Sequence, residues 1–451
     1  MSAGQPASLA LAEWSAGLNW SHIPESQHEL LRLRVLDTIG LIMAGHDAVL
    51  GPSMDAYARQ GAPGRSTVLG RAPAPAEFAA LVHGTLAHGR DFDDTFTDSV
   101  VHPGSMIIAA LLAVAEAEGS TADNFATAMV AGYEVAARIG GVAGRRFHHR
   151  GLHATGIVGP ICTTVAVARL RGLDAATTAS AIGLTASMAG GLMAFLGDGS
   201  WSKWLHVGWA AHGGIVATDL AATGFRGPVG ALSGQHNLYD AFLHGEKLEL
   251  GELTRNLGTD WRGAEARFKY YPCAHVVQPY IDAVLELRAR PGLAGAEISE
   301  IRCAVAPWIV PIVCEPRAPR LAPATDMEAI ASLYHQLAHA WVHGQVNLEV
   351  LGEAARRNPA TNALAARVTW REAEEMAGGF PGEVELVMAD GSVHRARAEA
   401  VAINRPRLVA KFRANTSNHL NEQQANAFIA LLDQPGPVDW RPAAALLAGR
   451  P

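Results

Sequence analysis

Residues 154–170, ATGIVGPICTTVAVARL, carry apolar side chains almost all the way round a 3.6-residue period and are rich in Ala and Gly. That pattern predicts a helix buried inside a helical domain, because a helix on a surface shows a polar face. Residues 175–192 read the same way, and 204–222 look similar. Further out, residues 30–44 place Leu31, Val35, Ile39 and Ile42 on one face, and 73–88, 105–118 and 124–142 repeat the behaviour. Strand signals are nearly absent from about residue 7 to 242, so this half of the chain reads as helix after helix.

The texture changes after about Arg267. Residues 276–287 read as a helix, 299–306 alternate as a strand, 307–323 are a proline-rich loop, and 327–343 are helical again. Residues 367–370, 382–388 and 392–398 read as strands, the last two joined at Ala389-Asp390-Gly391, a good hairpin turn. From Pro406 helices return, at 428–432 and 442–447 among others. The expected fold is therefore mainly α. A large helical domain is built from both chain ends, 1–267 and 405–451, with a smaller α+β lid domain, 268–404, inserted between them.

Composition bounds the partners. At 451 residues the chain suits two domains, and its interior must rely on small aliphatic residues, because 49% of residues are hydrophobic but only 6% aromatic. A formal net charge of -7 and the lack of a Lys/Arg block argue against nucleic acid and against an anionic membrane surface. Four scattered cysteines, with no CxxC pair, argue against a disulfide framework or a cysteine zinc site, and a reducing cytoplasm is the expected compartment. The longest apolar run, 106–115, is too short to span a bilayer, and no secretory signal is read in 1–17.

Chemistry concentrates in a few segments. Residues 88–104, HGRDFDDTFTDSVVHPG, hold four acids, three hydroxyls and two histidines between apolar helices. Asp93, Asp94 or Thr95 could close the preceding helix and Pro103 could start the next, but capping accounts for only one or two residues. His148, His149 and His153 precede an apolar helix. They lack an HExxH pattern and a following carboxylate at ligand spacing, so His153 at a helix start reads better as an anion contact or a general acid/base than as a metal ligand. Lys203 and His206 open a nearly uncharged helix, where a lysine is either exposed or held for function. Lys269 and His275 flank Tyr270-Tyr271-Pro272 at the texture change, and could face an interdomain cleft or belong to a plain hinge. Tyr334, His335, His339 and His343 share one helix, with the histidines spaced by four along one face. No phosphate-binding loop stands out, since Gly140-Gly141 to Gly144 follows a helix rather than a strand, so no nucleotide cofactor is expected.

These segments, taken in order, resemble one family. HGRDFDDTF with HPGS, GLHATGIVGP, SKWLHVGWAAHGG, FKYYPCAH, EAIASLYH and KFRAN follow one another as in the MmgE/PrpD family, which includes 2-methylcitrate dehydratase, cis-aconitate decarboxylase and iminodisuccinate epimerase. The likeness runs from about Leu36-Asp37-Thr38-Ile39-Gly40 to Phe412. It implies a homodimer with no metal or organic cofactor, acting on a small carboxylate. It also implies active-site places for Asp91, Thr95, His102, His153 and Lys203, with His206 similar to a neighbouring family position. Two departures stand out: Gln278 takes the place of a histidine found in many members, with His275 three residues earlier, and His335 stands where the decarboxylase has a tyrosine. The expected activity is a lyase that moves a proton next to a carboxylate, a dehydratase first. An epimerase or isomerase, a decarboxylase and a non-catalytic scaffold are the alternatives. Asp91, His102, His153 and Lys203 are the expected catalytic groups, and Thr95, His206, Lys269, His275, Gln278 and His335 the expected substrate contacts.

Overall fold

The computed structural model describes residues 4–378, 380–399 and 402–449. The chain is mainly α, with long helices at His28–His46, Ala76–His88, Gly104–Glu118, Ala122–Ala143, Ala154–Arg171 and Ser202–Ala222. The Ala154–Arg171 helix is buried on nearly every residue, as its all-round apolar pattern requires. His28–His46 was expected to bury one face and instead buries almost every residue from Leu30 to Gly45. The Arg405–Thr416 helix, from the far end of the chain, packs along it, as does Ala76–His88.

Several local expectations need correction. The helix read over 175–192 ends at Ala186 and buries only half of its residues. The helix read over 73–88 starts only at Ala76, because Ser66–Val68 and Arg71–Ala74 form a small antiparallel hairpin. The helix read over 327–343 is two helices, Asp326–Ile330 and Leu333–His343; the Ser332 hydroxyl accepts from the His335 N–H and so caps the second. The segment 307–323 is not plain loop but contains the short helices Val310–Val313 and Arg317–Leu321.

The second region carries a four-stranded sheet in the order Val368–Glu372, Ile298–Val305, Gly382–Met388, Val393–Ala398. The first pair is parallel and the others antiparallel. Gly382–Met388 alternates buried and half-buried residues, so one face packs inward, where the Gln278–Ala289 helix lies against it.

Close helix packing sets where the polar residues meet. A Cβ on Gly208 would sit 2.0 Å from Thr85 Oγ1, so the Ala76–His88 and Ser202–Ala222 helices touch through small residues. Three residues beyond that crossing lies His88 on one helix, and two and five residues before it lie His206 and Lys203 on the other. Their side chains are thereby delivered to the same end of the helical packing.

Candidate active site

Between the Ala76–His88 and Gly104–Glu118 helices the chain runs as an almost wholly buried loop. Asp91 (φ 46°) and Val100 (φ 58°) adopt left-handed backbone, which an aspartate tolerates and a β-branched valine does not adopt without strain. Both line one cavity of about 70 Å³.

Asp91 is held between two ammonium groups. Lys203 pairs with its Oδ2, and Lys269 Nζ donates at 2.7 Å to both its Oδ1 and its backbone carbonyl. Burial alone would raise the Asp91 carboxyl, but the two lysines outweigh it and hold it well below the usual carboxylate range. Burial lowers Lys203, with Asp91 opposing. One carboxylate against two ammonium groups leaves this corner with net positive charge, suited to an anionic ligand.

Beside this pair lie several imidazoles. His102 Nδ1 faces Thr95 Oγ1 at 3.0 Å, the Asp94 carbonyl at 3.2 Å and Asp93 Oδ1 at 3.4 Å. A carbonyl can only accept, which assigns the proton to Nδ1 and leaves Nε2 as an open lone pair, 3.8 Å from Asp91 Oδ1. Burial pushes His102 down to about 4, so it is neutral near pH 7. His88 Nδ1 donates to both Asp93 oxygens at 2.9 Å, and its buried Nε2 has no hydrogen-bond partner among the described residues. His153 stands at the N-terminus of the Ala154–Arg171 helix, with Nδ1 3.1 Å from His206 Nδ1 and a buried Nε2 that likewise has no hydrogen-bond partner among the described residues. Burial, then the charge of Lys203, keep His153 well below its ordinary value.

Asp91, His102, His153, Lys203, Lys269 and His275 thus share the cavity. His206 backs His153 rather than lining it. Three expected substrate contacts are directed elsewhere. Thr95 lies behind His102, its backbone paired with Arg267 in both directions. Gln278 is spent on the chain itself: its Oε1 accepts from the N–H groups of Tyr270 and Tyr271, and its Nε2 donates to the Tyr271 carbonyl. His335 Nε2 meets the Val350 carbonyl at 2.9 Å. Gln278 and His335 are engaged away from the cavity by backbone groups that would otherwise be buried without partners, while Thr95 supports His102 from behind.

Sequence reasoning did not select Arg145 or His148, which also line the cavity, nor His88 and Asp93, which meet behind it. Arg145 donates to the Ala377 and Thr97 carbonyls, and its guanidinium lies 4.0 Å from the centre of the Trp308 ring. No spacing rule links Arg145 to residues more than 150 positions away, whereas His88 and Asp93 lay in the polar segment already singled out. Asp94 does not close the preceding helix, which ends at His88 with Gly89 as its C-cap; its Oδ1 instead accepts from the N–H of Gly104 at 2.8 Å at the start of the next helix, and its Oδ2 accepts from Tyr133 Oη.

Nitrogen atoms of His88, His102 and His153 lie within 4.8 Å of one another, a donor set that could also hold a divalent cation. The rings of His102 and His153, kept neutral by burial, can also take and return protons. All four cysteines are free and buried, and burial raises each thiol, so none is a ready nucleophile.

Fold and site together define a mainly helical protein that closes a cationic, histidine-rich cavity against a smaller sheet-bearing region. The chain belongs to the MmgE/PrpD family: the MmgE/PrpD N-terminal domain matches residues 9–251 and the C-terminal domain residues 271–434. It is 26% identical over 300 residues to a cis-aconitate decarboxylase-like protein of Aspergillus oryzae, covering 62% of this chain and 61% of that one. It is 25% identical over 310 residues to cis-aconitate decarboxylase of Aspergillus terreus, covering 65% and 62%. With the human cis-aconitate decarboxylase it shares 27% over 222 residues, covering 47% and 45%. The matched stretch therefore spans about three fifths of the length of the fungal relatives and less than half of the human one. Among the described residues no helix is long and apolar enough to cross a membrane.

Proposed function

We propose that the chain is a lyase that acts on a small polycarboxylate by moving a proton next to a carboxylate. The observation that carries this reading is a neutral His102 with an open Nε2, 3.8 Å from a carboxylate flanked by two lysines. A C–H next to a carboxylate is weakly acidic. Its removal needs a base and positive charge on the carboxylate oxygens, where negative charge grows in the transition state. Lys203 and Lys269 supply the charge, His102 is the base, and His153, with a ring centre 6.2 Å from that of His102, serves as the second proton carrier. Dehydration is the first reading, because the lowered ammonium of Lys203 can protonate a departing hydroxide. Decarboxylation is the second, favoured by the names of the relatives.

No described step requires a metal or organic cofactor, and the substrate supplies the charge that the lysines meet. Residues 268–404 act as a lid over the cavity, while 405–451 complete the helical body through the packing of Arg405–Thr416 on His28–His46. A homodimer is supported by Trp201, Leu205, Trp209 and Leu220, which leave an exposed apolar stripe on the Ser202–Ala222 helix and its approach. The test of function is to incubate the purified chain with 2-methylcitrate, citrate, cis-aconitate and iminodisuccinate, following alkene absorbance and carbon dioxide release. Turnover of at least one is expected; inertness toward all four after metal-free purification, with turnover restored by zinc, would replace this reading with a metal-dependent one.

A further inference from the structure

Two of the family-like segments, Leu36-Asp37-Thr38-Ile39-Gly40 and Lys411-Phe412-Arg413-Ala414-Asn415, contribute nothing to the cavity lining. They meet behind it. A Cβ on Gly40 would stand 3.2 Å from Phe412 Cδ2, so the two helices approach closely at this point. One turn away, Asp37 Oδ1 and Lys411 Nζ form a buried ion pair at 2.7 Å. Lys411 Nζ also donates to the Phe92 carbonyl at 2.7 Å and to the Lys269 carbonyl at 3.0 Å, so its three N–H groups have three acceptors. Those carbonyls belong to the residue after Asp91 and to Lys269 itself, the two residues whose side chains pair in the cavity.

We propose that Asp37 and Lys411 form a buried brace that fixes the backbones of Phe92 and Lys269 together, making both positioning residues for the Asp91–Lys269 pair. The proposal rests on the reading of that pair as part of the proton-transfer site. Asp37 aims the ammonium, Lys411 ties two segments 177 residues apart in sequence, and the Asp91 carboxylate, held in left-handed backbone, is kept between Lys203 and Lys269. A buried charge without its partner is far more costly than a neutral pair of similar shape. Comparing single and double variants therefore separates positioning from bulk stability.

The test compares Lys411→Met, Asp37→Asn and the double variant D37N/K411M with the wild type. Three readouts are taken: thermal midpoint, kcat and KM on whichever polycarboxylate the wild type consumes, and hydrogen exchange of peptides spanning 91–96 and 267–272. Both single variants should melt lower, and the double variant should recover most of the lost midpoint. Its kcat should nevertheless stay roughly 10- to 100-fold low with KM little changed, the scale of a small misplacement of reacting groups. Exchange in the two peptides should rise while peptides from the Ala154–Arg171 helix stay protected. A double variant whose kcat returns with its stability, or whose two peptides exchange as in the wild type, overturns the brace. Lys411→Arg gives a further check should the double variant not fold: its planar fork keeps the charge beside Asp37 but cannot point donors in the ammonium's three directions. Reduced kcat in that folded variant supports the brace, and wild-type kcat with wild-type exchange refutes it. If the wild type consumes no polycarboxylate, the substrate reading fails and the exchange data alone judge the brace.

Discussion

The cavity draws its lining from two regions of opposite chemistry. The helical region before residue 268 brings Asp91, His102, Arg145, His148, His153 and Lys203, whereas the region after it brings Lys269 and His275 among Trp308, Ile312, Met327 and Phe380. Most of the charged and titratable groups thus come from the first region, and the second, apart from Lys269 and His275, gives rings and aliphatic groups. The two regions meet where Arg145 lies over Trp308. The difference teaches a division of labour. Apolar lining excludes water, lowers the local dielectric and strengthens the lysine and imidazole interactions on the other side. Desolvation is also what keeps the histidines neutral and able to act as bases.

If the helical side carries the chemistry, His102→Gln should lower kcat by about 10²- to 10⁴-fold, the range for loss of a general base, in a steady-state assay on the consumed polycarboxylate. Lys203→Ala should cost about 10²- to 10³-fold, as for loss of one group that stabilises developing negative charge. Trp308→Ala, on the apolar side, should act mainly on binding and raise KM by about tenfold, equivalent to about 1.4 kcal/mol, with a smaller effect on kcat. A Trp308 variant as damaging to kcat as the His102 variant would erase the distinction between the two regions. His335→Gln, buried but away from the cavity, should leave kcat/KM within about twofold, a difference too small to assign to a lost transition-state contact.

A pH experiment probes the same burial. His83, His102, His206 and His339 are pushed down to about 4 and His148 to about 3, and His153, His275 and His335 are lowered as well, in each case first by desolvation. Unfolded, each returns to about 6.5, so between about pH 6.5 and 4 the unfolded chain binds more protons and folding stability falls as pH falls. Asp37, raised to about 6 chiefly by burial, works in the opposite sense between about pH 6 and 4, as do Asp94, Glu134, Glu265 and Asp282, which burial also raises, but these are fewer than the histidines that burial lowers. The thermal midpoint should therefore drop by a few degrees between pH 7 and pH 5 in scanning calorimetry. A midpoint that rises over this interval would contradict the assignment of these histidines as neutral.

Much of this division was legible in the sequence, and the exceptions have physical causes. All-round apolarity gave the Ala154–Arg171 helix to within a residue, and alternation gave Gly382–Met388. The hairpin of Ser66–Val68 and Arg71–Ala74 was not legible, because strands of three and four residues are too short to display a period. In the site, the polar segment after His88 stood out because so many acids and hydroxyls between buried helices need partners. Gln278 and His335 were selected by their place in a family pattern, yet position in a pattern says nothing of which way a side chain turns. Gln278 turns back onto the N–H groups of Tyr270 and Tyr271, and His335 onto Val350. Arg145 and the pairing of Asp37 with Lys411 were out of reach, since both depend on contacts across hundreds of residues.

The central claim is that the helical side of the cavity moves a proton next to a carboxylate through His102. Its most direct measurement is deuterium incorporation from D2O into cis-aconitate, citrate and 2-methylcitrate, followed by proton NMR for the wild type and His102→Gln. The account predicts incorporation at the carbon next to a carboxylate with the wild type and its loss, beyond about 10²-fold, in the variant. No incorporation into any of the three by the folded wild type, or equal incorporation by the variant, would contradict it.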